Sequence, residues 1–265
     1  MKAFFLTLAV LFTISMSAQT YEISYVKTVD EKFIMDSLMG KRINMLPEQM
    51  KKEILSNMVK PQEYTLTYSN GKSLYKTKEE PKKKEDDEDD DLKVGQGGGF
   101  KFRFNRNMIA SILYKDQEKF ISIKQQNIFD KQFLIQDSIK SLEWEITDKT
   151  RTVGEFTCKE ATAKFRNSTV TACYSEDIPI NEGPDDFFGL PGLVVNVSFK
   201  DKRFGPTNIA MTEMRILPES KILEAPKEGE KVTKEEFEKV MKERTEGFRD
   251  QNRGGGNGPM RIQIN

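Results

Sequence analysis

The sequence predicts a mainly β (α+β) fold: a curved antiparallel sheet with two or three helices and a disordered charged insertion. Three observations predict it. Segments that alternate apolar and polar residues, the period of a half-buried strand, outnumber segments with helical spacing. Turn dipeptides such as Asn70-Gly71 separate pairs of these segments, as hairpins require. No strand–helix–strand alternation accompanies them, which argues against a parallel α/β sheet.

The chain opens with "MKAFFLTLAVLFTISMSAQT". Lys2, an apolar run from Ala3 to Ile14 and the small residues of "SMSAQ" form the pattern of a cleaved secretory signal, residues 1–18. A membrane anchor needs about 20 apolar residues, and this run is shorter. No Cys follows it, which argues against a lipid anchor, and no later segment is long enough to span a membrane as a helix. The chain is expected to be exported, to the periplasm or the outer membrane. Residues 19–250 then form a single β-rich domain, and 251–265 a Gly-rich tail ending in a short strand, "MRIQI".

Within the domain, "TYEISYVKTV" alternates as a strand. A methionine-rich stretch follows, and its second half reads as a helix opening at Pro47, with Met50, Ile54, Leu55 and Met58 on one face. "EYTLTYSNGKSLYKT" is a hairpin turning at Asn70-Gly71. Residues 76–99 carry block charges, one Pro and a glycine run with nothing to bury, so they are expected to be disordered. Strand patterns resume in "FKFRFNRNMIASILY", "KFISIKQQNIF", "KQFLIQD" and the long run from Leu142, which includes a second hairpin. "TNIAMTEMRIL" is a further strand, and "KVTKEEFEKVMKERTEGFRDQ" a helix with Thr233 at the N-cap and Glu236 as its capping-box partner.

Composition narrows the function. Basic and acidic side chains balance at 42 each, so no net charge points toward nucleic acid. The chain has no His at all, which excludes Ser–His–Asp and Cys–His nucleophile systems and HExxH zinc sites. Two cysteines, Cys158 and Cys173, cannot build a structural zinc site alone. The second hairpin is expected to turn at Asn167-Ser168, which sets Cys158 opposite a residue nearer 177 than 173. Disulfide and free thiols both stay open.

Other constellations carry less. The acidic tract at residues 85–91 lacks the spaced ligands and Gly bend of a Ca²⁺ loop, and the lysines before it repel cations. Met35, Met39, Met45, Met50 and Met58 suit soft metals, yet their spacing is that of core filler. Asp185-Asp186 is the one carboxylate pair in an unusual setting, and "GQGGGFKF" lacks the Lys-Ser/Thr of a phosphate loop. Asp36-Ser37-Leu38 and Asp137-Ser138-Ile139 resemble a short O-glycosylation sequon. The sequence assigns no catalytic residue, no cofactor and no metal ligand.

The stretch "NEGPDDFFGLPGLVVNVSF" crowds prolines and glycines against an apolar run. Pro191-Gly192 suits a type II turn, with Gly192 taking φ > 0. Leu193, Val195 and Val197 would then alternate with Val194, Asn196 and Ser198 along a half-buried strand, with Leu190 and Phe187-Phe188 plugging the core beside it.

The run from Trp144 to Phe199 resembles the GLPGLI family of exported Bacteroidota proteins. The resemblance rests on Gly189-Leu190-Pro191-Gly192-Leu193-Val194, on Trp144 and Ile146, and on Asp177-Ile178-Pro179 with Gly183-Pro184. A looser Gly154 to Cys158 segment adds to it. Val194 replaces the motif's last Ile, and Cys173 stands where the family has Trp. The family has no established activity. The resemblance implies an envelope protein encoded near TonB-dependent outer-membrane receptors, and hence such a receptor as partner. A non-enzymatic binding or accessory role is expected, with metal binding or a carboxylate-dependent hydrolase as the alternatives.

Overall fold

The computed structural model describes residues 19–38, 47–78, 111–128, 131–201 and 204–253. The signal, the charged insertion from residue 79 onward, and "MRIQI" lie outside the described residues.

Strand β1 (Thr20–Val29) points Ile23 and Tyr25 to one face, where both are fully buried. Asp30 ends it and caps helix α1 (Glu31–Leu38), its carboxylate accepting the Phe33 N–H at 2.6 Å. Pro47 stands at the N-cap of α2 (Glu48–Val59). Strands β2 (Gln62–Ser69) and β3 (Lys72–Thr77) form the expected hairpin, with Asn70 and Gly71 at φ 51° and 71°, the signs a type I′ turn demands. A meander of β4 (Ser111–Asp116), β5 (Ile121–Ile128) and β6 (Lys131–Ser138) follows. Residues 139–144 lead to β7 (Glu145–Val153), β8 (Phe156–Phe165) and β9 (Ser168–Ser175). Residues 176–192 form a long loop before β10 (Leu193–Asp201) and β11 (Gly205–Leu217). A strap, residues 218–229, then reaches β12 (Glu230–Thr233) and helix α3 (Lys234–Arg253).

The twelve strands of the described residues join one sheet, in the order β12-β6-β5-β4-β3-β2-β1-β11-β10-β9-β8-β7. Among the described residues every pairing is antiparallel except β12 with β6. That parallel contact is set by the strap, which is tied to Thr20 through the Glu219 carbonyl (2.7 Å) and to Gln125 through the Glu228 carbonyl (2.8 Å). The capping box of α3 is reciprocal: Glu236 N–H donates to Thr233 Oγ1 at 3.2 Å, and Thr233 N–H donates to Glu236 Oε2 at 2.7 Å. The helix runs through Arg253, into what the sequence assigns to the tail.

Residues directly opposite one another share a face, and the register therefore identifies the core. Ile23, Leu66, Tyr75 and Leu113 lie in one row across four strands, all buried. Residues 176–192 pack on this inner face and add Ile178, Ile180, Phe187 and Leu190 to the same cluster. Phe187 meets the rings of Phe165 (4.9 Å) and Phe199 (5.1 Å). Beyond β5, α3 covers the sheet through Phe237, Val240 and Met241 against Phe133 and Ile135. Each fully buried side chain of this size stabilises by about 1.5–3 kcal/mol.

Three local expectations are corrected. The second hairpin turns at Arg166-Asn167, one residue earlier than expected, with Phe165 opposite Ser168. Cys173 then lies opposite Glu160, which leaves Cys158 diagonal to it and 5.5 Å away between Cα atoms. The two are joined in a disulfide.

The turn before β10 is also tighter than type II. Gly192 N–H donates to the Leu190 carbonyl at 2.7 Å, a three-residue turn about Pro191. The fourth residue cannot close it, because Leu193 N–H is already bound to the Ile178 carbonyl at 3.1 Å. Strand β10 is fully rather than half-buried from Leu193 to Val197, since it runs inside the sheet and shifts register between Val194 and Asn196.

Gly192 sits at φ 153°, and a β-carbon there would overlap the Ser175 carbonyl oxygen. Gly192→Ala is expected to cost about 3 kcal/mol, combining backbone strain with overpacking. Gly154→Ala, at φ 59° with open space around it, should cost only about 1 kcal/mol. Thermal unfolding of both variants checks this, and equal Tm values would refute the close approach at Gly192.

Candidate functional site

Residues 176–192 leave β9 and return into β10 at the same end of the sheet, folded across the inner face between them. The backbone of this plug is well satisfied, as a buried loop requires. Val194 N–H donates to the Glu182 carbonyl (2.9 Å), Gly189 N–H to Asn181 (3.1 Å) and Phe187 N–H to Pro184 (3.1 Å). From outside the plug, the Tyr25 hydroxyl donates to the Val194 carbonyl at 2.7 Å, and Trp144 Nε1 to the Phe188 carbonyl at 2.9 Å. The motif residues divide accordingly. Gly183, Pro184, Leu190, Gly192, Leu193 and Val194 are buried, while Gly189 and Pro191 are exposed.

Beneath the plug lies an ion pair that sequence reasoning missed. Lys115 follows Leu113 on the inner side of β4, and its side chain is 1% exposed; that of Glu182 is 0% exposed. Lys115 Nζ and Glu182 Oε2 stand 2.5 Å apart as an ion pair, without hydrogen-bond geometry. Gln117 Nε2 donates to Glu182 Oε1 at 3.0 Å, and the Phe188 ring lies 3.9 Å from Lys115 Nζ. Ser73, directly opposite Lys115 in the register, is buried as well. Serine and lysine together are the residue types of a Ser–Lys nucleophile. Here the ammonium is engaged by Glu182 and both partners are closed to solvent, so the grouping acts as a lock on the plug.

A second cluster sits at the plug's tip. Asp185 adopts φ 53°, uncommon for a residue with a side chain, inside the turn that Phe187 closes on Pro184. Lys124, on the inner side of β5, donates to Asp185 Oδ1 at 2.8 Å and lies 3.9 Å from Asp186 Oδ2. The carboxylates are 39% and 51% exposed. Burial opposes the charge of Asp185, but Lys124, and beyond it Lys27 and Arg166, hold its pKa below the ordinary value. The Asp185 charge, and then burial, push Asp186 upward against Lys124, Lys115 and Lys234. Burial also opposes the Lys124 charge, and the two aspartates outweigh it and raise its pKa. Nearby, burial and then Asp185 push the Tyr64 hydroxyl up to about 12. Half-buried Lys27 is lowered by burial, against the pull of Asp185 and Asp201.

The arrangement thus brings Asp185-Asp186, singled out in the sequence, together with Lys124 and Lys27, which were not. Cys158 and Cys173 lie on the opposite face, with Val195. Met35 is 45% exposed on α1, and Met39, Met45 and the acidic tract fall outside the described residues. Among the described residues no three His, Cys, Asp or Glu side chains gather where they could hold a metal ion. No helix among them is long and apolar enough to cross a membrane. Asp36-Ser37-Leu38 ends α1, and Asp137-Ser138-Ile139 ends β6.

A family model described as a protein of unknown function (Porph_ging), a Bacteroidota-associated family, matches residues 162–196. The match runs from β8 through the plug into β10. No curated protein matches the sequence. Two solved structures of PNGF-II, in space groups C2 and P21, are similar to the chain at 14% identity with TM-scores of 0.49 and 0.48. Each similarity covers 84% of this chain, which spans about a third of those chains, 32% and 33%.

Two outcomes follow from the clusters. Removing one partner of a buried pair leaves an uncompensated charge, so Lys115→Met or Glu182→Leu alone should cost about 3–5 kcal/mol. The double variant should recover most of that loss in urea unfolding; additive losses would contradict the lock.

At the tip, Asp185 binds its proton less readily folded than unfolded. Its stabilising share is present above the unfolded value of about 3.9 and is lost as pH falls through the lower folded value. Asp186 binds its proton more readily folded, so its share is largest at low pH and is lost as pH rises through the raised value. Asp185→Asn should therefore lower stability at pH 7, and Asp186→Asn raise it, each by less than about 1 kcal/mol for partly exposed groups. Unfolding at pH 7 and pH 3 checks the opposite signs, and a common sign would refute the assignment.

Proposed function

We propose that the chain is an exported cell-envelope protein of the GLPGLI kind that works by binding a partner rather than by catalysis. A TonB-dependent outer-membrane receptor is the expected partner. The observation that carries this reading is the plug's tip. Asp185 is held in an uncommon backbone conformation by buried neighbours on both sides, Pro184 and Phe187, and its carboxylate is fixed by Lys124. Such conformations persist where the surroundings over-determine them and cluster at functional sites. A contact fixed in advance also spares a partner the ordering cost of binding.

Two further features support the reading. The Cys158–Cys173 disulfide suits an oxidising compartment outside the cytoplasm. The chain path favours a curved sheet: β6 is second and β7 twelfth in the strand order, ten spacings or about 48 Å apart if flat. The seven residue steps from Ser138 to Glu145 reach at most about 25 Å. Curling brings the two strands within that reach and gives the plug a concave seat.

A second reading, a carboxylate-dependent hydrolase, is favoured by one observation. Asp185 and Asp186 are pushed in opposite directions, as the acid and base of a catalytic pair are. Crosslinking and pull-down from intact envelopes, with wild type beside Asp185→Asn/Asp186→Asn, tests both. The binding reading expects the captured partner to fall at least about tenfold in a variant whose Tm stays within a few degrees. Undiminished capture would sink the tip as the contact. Turnover of envelope glycans by wild type, abolished in Asp186→Asn, would replace binding with hydrolysis.

A further inference from the structure

The disulfide lies on the outer face of the sheet, away from the plug, and its two residues are 1% and 0% exposed. Its cover comes from strands other than the two it joins. Val195 of β10 packs against it, with Val153 of β7 and Met211 of β11. A polar roof completes the cover. Arg151 is opposite Cys158 in the register, and Asn196 is opposite Cys173. Arg151 Nη2 donates to Asn196 Oδ1 at 2.7 Å, so the side chain spans from one flank of the disulfide to the other, across the sulfurs. Asn196 is itself fixed, its Nδ2 donating to Asn208 Oδ1 (2.9 Å) and the Ile209 carbonyl (3.2 Å). Forming the bond needs far less structure than covering it. The cysteines are 15 residues apart on one hairpin, and only the β8–β9 register has to exist for them to meet.

We infer that the disulfide is installed while β8 and β9 are an open hairpin, by exchange with an external disulfide oxidant, and that β10, β11 and the Arg151–Asn196 clasp then seal it. One cysteine thiolate attacks a sulfur of the oxidant's disulfide, which forms a mixed disulfide and releases one oxidant thiolate. The second cysteine thiolate attacks the chain's own sulfur in that bond and releases the other. The two chain thiols are oxidised, the oxidant's disulfide is reduced to two thiols, and the two protons end on them. The partner is thus defined by its chemistry, a small or protein disulfide. Only its presence in the cell rests on the export reading, because the order of events can be tested with the purified chain.

The test adds oxidised glutathione to the reduced, unfolded chain either at the moment of dilution from urea or after Trp144 fluorescence has stopped changing. Alkylation and gel shift read the bonded fraction over time. Early addition should form the bond at least about tenfold faster than late addition, and Arg151→Ala should narrow that gap. A reduced chain that never reaches native fluorescence supports the same order, since closure would then require the bond. Equal early and late rates would overturn the inference, and an unchanged gap in Arg151→Ala would remove the clasp from it.

Discussion

Two buried charges with no route to water, Lys115 on β4 and Glu182 in the plug, set the terms for the rest of the fold. The isolated cost of burying either is several kcal/mol, and the other, with Gln117 and the Phe188 ring, offsets it. Glu182 therefore has one place to go. Once it is there, its carbonyl binds the Val194 N–H, and the neighbouring Ile178 carbonyl binds Leu193. Those bonds fix where β10 begins, and β10 in turn carries β9 on one side and β11 on the other. A pair of this kind adds little net stability over an apolar equivalent.

Strands β9 and β10 serve both faces of the sheet. Inward, Ala172, Val194 and Val197 meet the plug; outward, Cys173 and Val195 surround the disulfide. Ala172 and Cys173 are consecutive, so the plug's seat has the disulfide on its other side. The tip at Asp185 is steadied from the inner face, since Phe187 on one side is locked among Phe165 and Phe199. A loop so anchored presents a fixed shape.

What the sequence disclosed was local. The Asn70-Gly71 hairpin, the Thr233–Glu236 capping box and the helix after Pro47 each depend on residues within four positions, and each is legible for that reason. The turn at Arg166-Asn167 was misplaced by one residue because neither residue punctuates as Gly or Pro does, and so the diagonal meeting of the cysteines was hidden. The type II geometry at Pro191-Gly192 failed for a distant cause, the claim of Ile178 on the Leu193 N–H. The parallel pairing of β12 with β6 reads in sequence only as the approach to a helix. Of the candidate site, Asp185-Asp186 and the glycine-proline motif were visible. Glu182, Lys115 and Lys124 were not, because one acid and two lysines among 84 charged residues acquire meaning only once long-range pairing sets them face to face.

Residues 176–192 are part of the core rather than a lid upon it. Native-state hydrogen exchange of the Leu193 and Val194 amides measures this most directly, because their acceptors belong to the plug. Both should exchange only with global unfolding, with the same free energy and urea dependence as the Ile23 and Leu66 amides at the centre of the sheet. Exchange of Leu193 and Val194 at markedly lower free energy, with little urea dependence, would mean that the plug opens alone and would contradict it.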